Sequence, residues 1–362
     1  MAQGKHHMQH IDVLKGIVIF LVVVGHSFHF GFSYYRSPLL AVLRSIDMPI
    51  FVFLSGYLAS KPLEFSFGGH IAFWRKKARQ LFLPLITLPT LYALFYSVSF
   101  DEMLFGIHHG GYWFTWVLFE MFVLWFVFQL LNHYTNPEGD VTLEALWAML
   151  TLAFVLWVDL PWKAYSPMTH EAFSWGKMNY LYHNFLIGYF VGKYSSFERI
   201  LIRPEVAALS ALLFTLLIYT ECTSAPVMGG IPASLSGLVM AFGLVNHLGK
   251  GDSRLNRLAG YLGQESRTIY FTHYFFLFSV PMVKPFLFGI LRDGGRTISW
   301  EIGLSVLYAA IVVSITLMVV RLIKANSILA FLCYGKALPK NKKPKPIVCN
   351  ESNDTSISDR SL

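Results

Sequence analysis

The chain has 362 residues, of which 55% are hydrophobic, 16% aromatic and only 14% charged, with a mean hydropathy of +0.50 and a net charge of +8. Soluble globules carry roughly 25% charged residues, so the composition excludes one and points to an all-α, polytopic integral membrane protein. Cys222, Cys333 and Cys349 are scattered without disulfide or metal spacing, which argues against a redox centre and a structural zinc.

A membrane-crossing helix needs roughly 17–25 largely apolar residues. On that rule the apolar stretches predict about ten helices, at 11–30, 43–59, 81–99, 112–131, 143–159, 179–194, 205–220, 226–247, 268–291 and 301–324. The first is too long and too charged for a cleavable leader, so none is expected. It holds Asp12, Lys15 and His26, and an ionisable group near the middle of such a helix costs roughly 2.5–3.5 kcal/mol on insertion scales. Lys15 and His26 lie eleven residues apart, which is about 20° past three turns and about 16.5 Å of rise. They share one face, as a polar pocket entering the bilayer requires.

An even helix number puts both termini on one side. With that side inward, 22 of the 29 basic residues fall on inside segments, including Lys61, Arg75, Lys76, Lys77, Arg79 and Arg267. This is the positive-inside pattern of a cell-membrane protein with both termini cytoplasmic. The positive charge therefore reflects topology and lipid contact, and no nucleic-acid partner is expected. Residues 1–335 form the membrane domain. Residues 336–362, with Lys340, Lys342, Lys343 and Lys345 among prolines, read as a polar tail whose basic part touches anionic headgroups.

Five strings in order carry a family resemblance: DVLKGIVIFLVVVGH from Asp12 to His26, MPIFVFLSGYL from Met48, FWRKKARQLFLP from Phe73, YWFTWVLFEMF from Tyr112, and LGQESRTIYFTH from Leu262. Together they resemble the membrane acyltransferase-3 family, whose signature is a basic residue, ten residues, then histidine, filled here by Lys15 and His26. The Lys-Gly pair resembles the fucose 4-O-acetylase-like subgroup. The resemblance implies transfer of an acyl group, usually acetyl, from acyl-CoA to a hydroxyl of a cell-surface glycan or lipid-linked saccharide. Acetyl-CoA would be a co-substrate, with no permanently bound cofactor. The chain departs from the family at Ile46-Asp47-Met48-Pro49, where a carboxylate replaces a histidine, and in using lysine where arginine is more general.

The chemistry asks for a base and for cations. His26 is the natural base, since an imidazole titrates near neutral pH, and Asp12, three residues before Lys15, is the second catalytic candidate, placed to pair with Lys15 or to orient a neighbouring group. Lys15, Arg75, Lys76 and Arg79 are the candidates for the donor's phosphates, although the last three also read as ordinary positive-inside anchors. Asp47, Ser55, Tyr57, Glu120 and His273 are further pocket candidates. Against them stand simpler roles: Ser55-Gly56-Tyr57 as a close helix contact, Glu120 as partner to a buried donor, and His273 as a satisfied buried histidine. His6-His7 and His108-His109 lack a third ligand, so no metal is expected. The rival to an enzyme is a carrier of polysaccharide or lipid-linked glycan, which paired broken helices or inverted repeats would favour.

Overall fold

The computed structural model describes residues 2–33, 37–106, 109–224, 230–249, 251–286 and 297–338, and every regular element among them is helical. In chain order these are α1 (Ala2–His26), α2 (Pro38–Ala59), α3 (Phe67–Lys77), α4 (Leu83–Tyr96), α5 (Phe100–Phe105), α6 (Trp113–Thr135), α7 (Val141–Tyr165), α8 (Pro167–Ala172) and α9 (Trp175–Lys193). Then follow α10 (Ser195–Leu201), α11 (Pro204–Ser224), α12 (Ile231–Leu248), α13 (Arg254–Gln264), α14 (Ser266–Thr272), α15 (Thr297–Ala325) and α16 (Ser327–Tyr334). The tail beyond Leu338 lies outside the described residues, as do Arg36, His108, Lys250, Arg292, Arg296 and the side chains of Lys5, His6 and His7.

Among the described residues, seven helical segments are long and apolar enough to cross a membrane. An eighth joins them if α10 and α11, bent by 60° at their junction, form one broken span. Of the ten expected, α9 and the α13–α14 run fall short of that apolarity. For α9 the surroundings give the reason: it is packed inside the bundle against α2, so protein and not lipid covers much of its surface. α13 instead is a short amphipathic helix that lays Ala259, Leu262 and Gly263 on α1 and leaves its other side exposed.

These two pairings bring backbones together through glycine. A Cβ on Gly16 would lie 1.7 Å from the Ala259 carbonyl oxygen, and one on Gly263 would lie 1.8 Å from that of Asp12. On the other pair, a Cβ on Gly56 would meet the Phe185 oxygen at 1.9 Å and one on Gly188 the Phe53 oxygen at 2.0 Å. Ser55-Gly56-Tyr57 is thus a close helix contact, as its small residues imply. Nearby, the buried Glu144 carboxylate accepts hydrogen bonds from the Tyr189 hydroxyl and the Lys193 ammonium, each at 2.5 Å, and from the Tyr194 hydroxyl, tying α7 to α9. A buried charge held this way is strongly destabilising to leave unpaired.

Two boundaries differ from the apolar pattern. The third span starts at Phe67 and runs to Tyr96 through a π turn at Ala78–Phe82, so the basic cluster lies within the helix and not in a loop before it. The helix expected at 268–291 starts earlier, as α13, and its run breaks after Phe276, where Leu277 is extended; residues 287–291 of that expectation lie outside the described residues. Hydropathy overlooked α13 because its apolar residues alternate with polar ones, and it overran the end because Leu277–Pro281 is apolar without being helical. A second π turn, Ser27–Gly31, follows His26 directly. Such turns insert an extra residue and recur at functional sites.

Candidate functional site

The middle of α1, at Asp12 and Lys15, faces a cavity of about 710 Å³, within the roughly 300–1,000 Å³ of small-molecule sites. Seven cationic side chains line it: Lys15, Lys61, Lys76, Lys77, Arg267, Lys324 and Lys336. Asp12 is its one lining carboxylate, with Lys15 Nζ at 3.2 Å from Asp12 Oδ1. Lys324 is partnered by Glu265 just behind the wall, and Lys77 Nζ sits 3.1 Å from the centroid of the Phe122 ring. Such a surplus of fixed cations in a partly enclosed space attracts a multiply charged anion and concentrates it. Phosphates are the natural ligands, since lysines and arginines meet them through charge-assisted hydrogen bonds.

Sequence-distant segments complete this wall. Gly335, at φ +60°, closes α16 against α4's preceding π turn: a Cβ there would lie 1.9 Å from the Arg79 carbonyl oxygen. The left-handed conformation is the one glycine adopts freely, and it directs Tyr334 and Lys336 into the lining. Arg75 is exposed and Arg79 is half-buried, and neither lines the cavity, whereas their neighbours Lys76 and Lys77 do. Ser55 is in the wall; Tyr57 points away and donates to Glu198 at 3.1 Å. Glu120 lies outside the lining too. Its carboxylate oxygens and the Trp116 indole nitrogen one turn before it are buried without a hydrogen-bond partner among the described residues.

Phe114, Thr115, Tyr270 and Phe271 line the cavity's apolar part, and the histidines lie past these rings. The Tyr270 and His273 ring centroids are 6.2 Å apart, and those of His273 and His26 are 5.2 Å apart. His273 is fully buried, and its Nδ1 lies 3.0 Å from the Ile269 carbonyl oxygen. That carbonyl only accepts, so Nδ1 carries the proton. Nε2 is then a bare lone pair, buried and unpartnered among the described residues. His26 is half-buried, with Nε2 at 3.1 Å from the Tyr274 hydroxyl. Asp47, 9% exposed on α2, has Oδ1 tied to the Met48 amide at 2.6 Å.

His26 and Lys15 therefore share a helix and a direction, yet only Lys15 is in the cavity wall. Lys61, Arg267, Lys324, Lys336 and Tyr274 had no part in the sequence-derived site. The first four counted only toward inward charge, and Tyr274 carried no signal beyond standing next to His273.

The fold and this arrangement define a multi-pass helical membrane protein with a polycationic cavity below a histidine pair. An acyltransferase-domain family model, acyltransferase-3, matches residues 8–320. The chain belongs to the acyltransferase-3 family. It is similar to nodulation protein NolL of Mesorhizobium japonicum, 31% identical over 136 residues, and to nodulation protein NolL of Sinorhizobium fredii, 32% identical over 136 residues. Each match covers 33% of this chain and 36% of the relative, so the shared stretch spans about a third of those proteins. No solved structure matches.

Proposed function

We propose that this chain is a membrane O-acetyltransferase of the cell membrane, taking acetyl from cytoplasmic acetyl-CoA and giving it to a hydroxyl of a cell-surface glycan or lipid-linked saccharide. The observation that carries the reading is the seven-cation cavity beneath His26 and His273. Acetyl-CoA bears several phosphates at one end of a long arm and a thioester at the other. The phosphates sit among Lys15, Lys61, Lys76, Lys77 and Arg267, and the arm lies along Phe114, Tyr270 and Phe271 toward His26. Both termini, with the basic mouth, are cytoplasmic, in line with the inward excess of basic residues.

In the transfer step His26 takes the proton of the acceptor hydroxyl as its oxygen attacks the thioester carbonyl carbon. The oxygen–carbon bond forms, the carbon–sulfur bond breaks, and the proton passes from His26 to the sulfur, releasing CoA as the thiol. A positioned base contributes roughly 10²–10⁴-fold to such a step. Asp12 holds Lys15 at the phosphate end and takes no part in the proton transfer. Family membership favours transfer over carriage of an intact glycan.

Mass spectrometry of surface glycan from cells with and without the protein tests this. The expected result is one acetyl mass per modified repeat, present only with the protein. An identical glycan mass in both strains, with glycan export lost in the deletion strain, would replace the enzyme with the carrier.

A further inference from the structure

Between α5 and α6 the chain makes a turn that its two glycines adopt freely and its histidine does not. His109, Gly110 and Gly111 all have left-handed φ, of +45°, +57° and +96°. For a histidine that conformation is costly and persists only where its surroundings over-determine it. They do so here. His109 is 1% exposed, with Nδ1 at 2.6 Å from the Leu104 carbonyl oxygen, Nε2 at 3.1 Å from Ser174 Oγ, and its ring stacked on Trp116. The turn drives Gly111 against Tyr274 so closely that a Cβ there would lie 2.3 Å from the ring.

What this delivers is a carbonyl. The Gly111 oxygen lies 3.0 Å from the Tyr274 hydroxyl, which is in turn 3.1 Å from His26 Nε2. A tyrosine hydroxyl has one proton to donate. If it goes to the Gly111 oxygen, Tyr274 Oη accepts from His26 Nε2–H and all three groups are satisfied. If it goes to His26 instead, the Gly111 oxygen is left with Tyr270 at 3.4 Å, beyond the 2.5–3.0 Å of a normal O–H···O bond. The first arrangement wins.

We infer that Tyr274 is a positioning residue: its hydroxyl, aimed by the Gly111 carbonyl, holds His26 with its proton on Nε2 and so makes Nδ1 the nitrogen that takes the acceptor's proton. This rests on the reading of His26 as the base. During transfer the acceptor's proton arrives on Nδ1 while the Nε2 proton stays, and Tyr274 Oη faces the N–H of the resulting imidazolium. The Nδ1 proton then goes to the sulfur. At metal sites, removing the partner that fixes a ligating histidine's tautomer typically costs roughly 10–100-fold, and a loss on that scale is expected where a base depends on one tautomer.

Nitrogen-15 NMR of the full chain, histidine-labelled and in lipid nanodiscs, reads the tautomer, with the His26 signals assigned by their loss in His26→Gln. The expected spectrum has a protonated Nε2 and a bare Nδ1 at His26. Tyr274→Phe should mix the tautomers and lower kcat by roughly 10–100-fold, with the KM for acetyl-CoA within about twofold. A wild-type His26 protonated on Nδ1 overturns the inference, as does a Tyr274→Phe protein with unchanged tautomer and full kcat. If Tyr274→Phe fails to insert, the wild-type spectrum decides alone. The tautomer is read without turnover, so the expected spectrum in a preparation that acetylates no glycan would sink the acetyltransferase reading and leave the Tyr274 geometry standing.

Discussion

Around Lys15 the wall is wide and charged, with lysines and an arginine from segments spread along the whole chain, several of them solvent-exposed. Three turns further along the same helix, His26 meets tyrosine and histidine rings at 5.0–5.2 Å and one hydroxyl at hydrogen-bond distance. The first region works by summed charge, which tolerates small displacements because Coulomb attraction falls off slowly. The second works by direction, which does not, because a hydrogen bond weakens steeply as it bends. Losing one cation should therefore cost little, whereas losing one ring nitrogen should cost almost everything.

The largest expected effect breaks the directional region. His26→Ala should lower glycan acetylation 10²–10⁴-fold at unchanged membrane level and with acetyl-CoA affinity within about twofold, measured by mass spectrometry and by binding to purified protein in nanodiscs. A comparable loss of acetyl-CoA affinity would show that the two regions are one site, and the contrast would fall. Full acetylation would remove His26 as the base.

A smaller effect is expected in the charged region. Lys61→Gln, Lys76→Gln and Arg267→Gln together should weaken acetyl-CoA binding about tenfold at low salt and less at high salt, because partly exposed contacts are screened. Calorimetry across a salt series checks it, and affinity that ignores both the substitutions and the salt would move the donor elsewhere. Smallest of all is the difference between neighbours. Arg75→Gln, off the cavity wall, should change affinity by less than about twofold, and Lys76→Gln alone by more. The reverse order would mean that the cluster acts through Arg75.

Much was legible beforehand for a physical reason. Lipid demands long apolar helices whatever their partners, so composition and apolar stretches sufficed for the class, and the eleven-residue step from Lys15 to His26 follows from helical geometry within one continuous α1. The five strings pointed to the acyltransferase-3 family. The register of the basic cluster was less legible, because the π turn at Ala78–Phe82 leaves no apolarity signal, and it is the cavity wall that separates Lys76 and Lys77 from Arg75 and Arg79.

What the sequence determined by itself was each helix that must face lipid and the one face shared by two ionisable residues, because both are local properties of a periodic chain. Only the tertiary structure decided which distant residues meet. It sets Arg267, Lys324 and Lys336 around Lys15, and it places Tyr270 between the cavity and the histidines. It presses a left-handed glycine onto Tyr274, whose hydroxyl reaches His26 across 248 positions. Such pairings depend on how closely two backbones approach at Gly16 and Gly263 and how closely a tyrosine ring approaches Gly111, and packing of that kind leaves no mark on hydropathy.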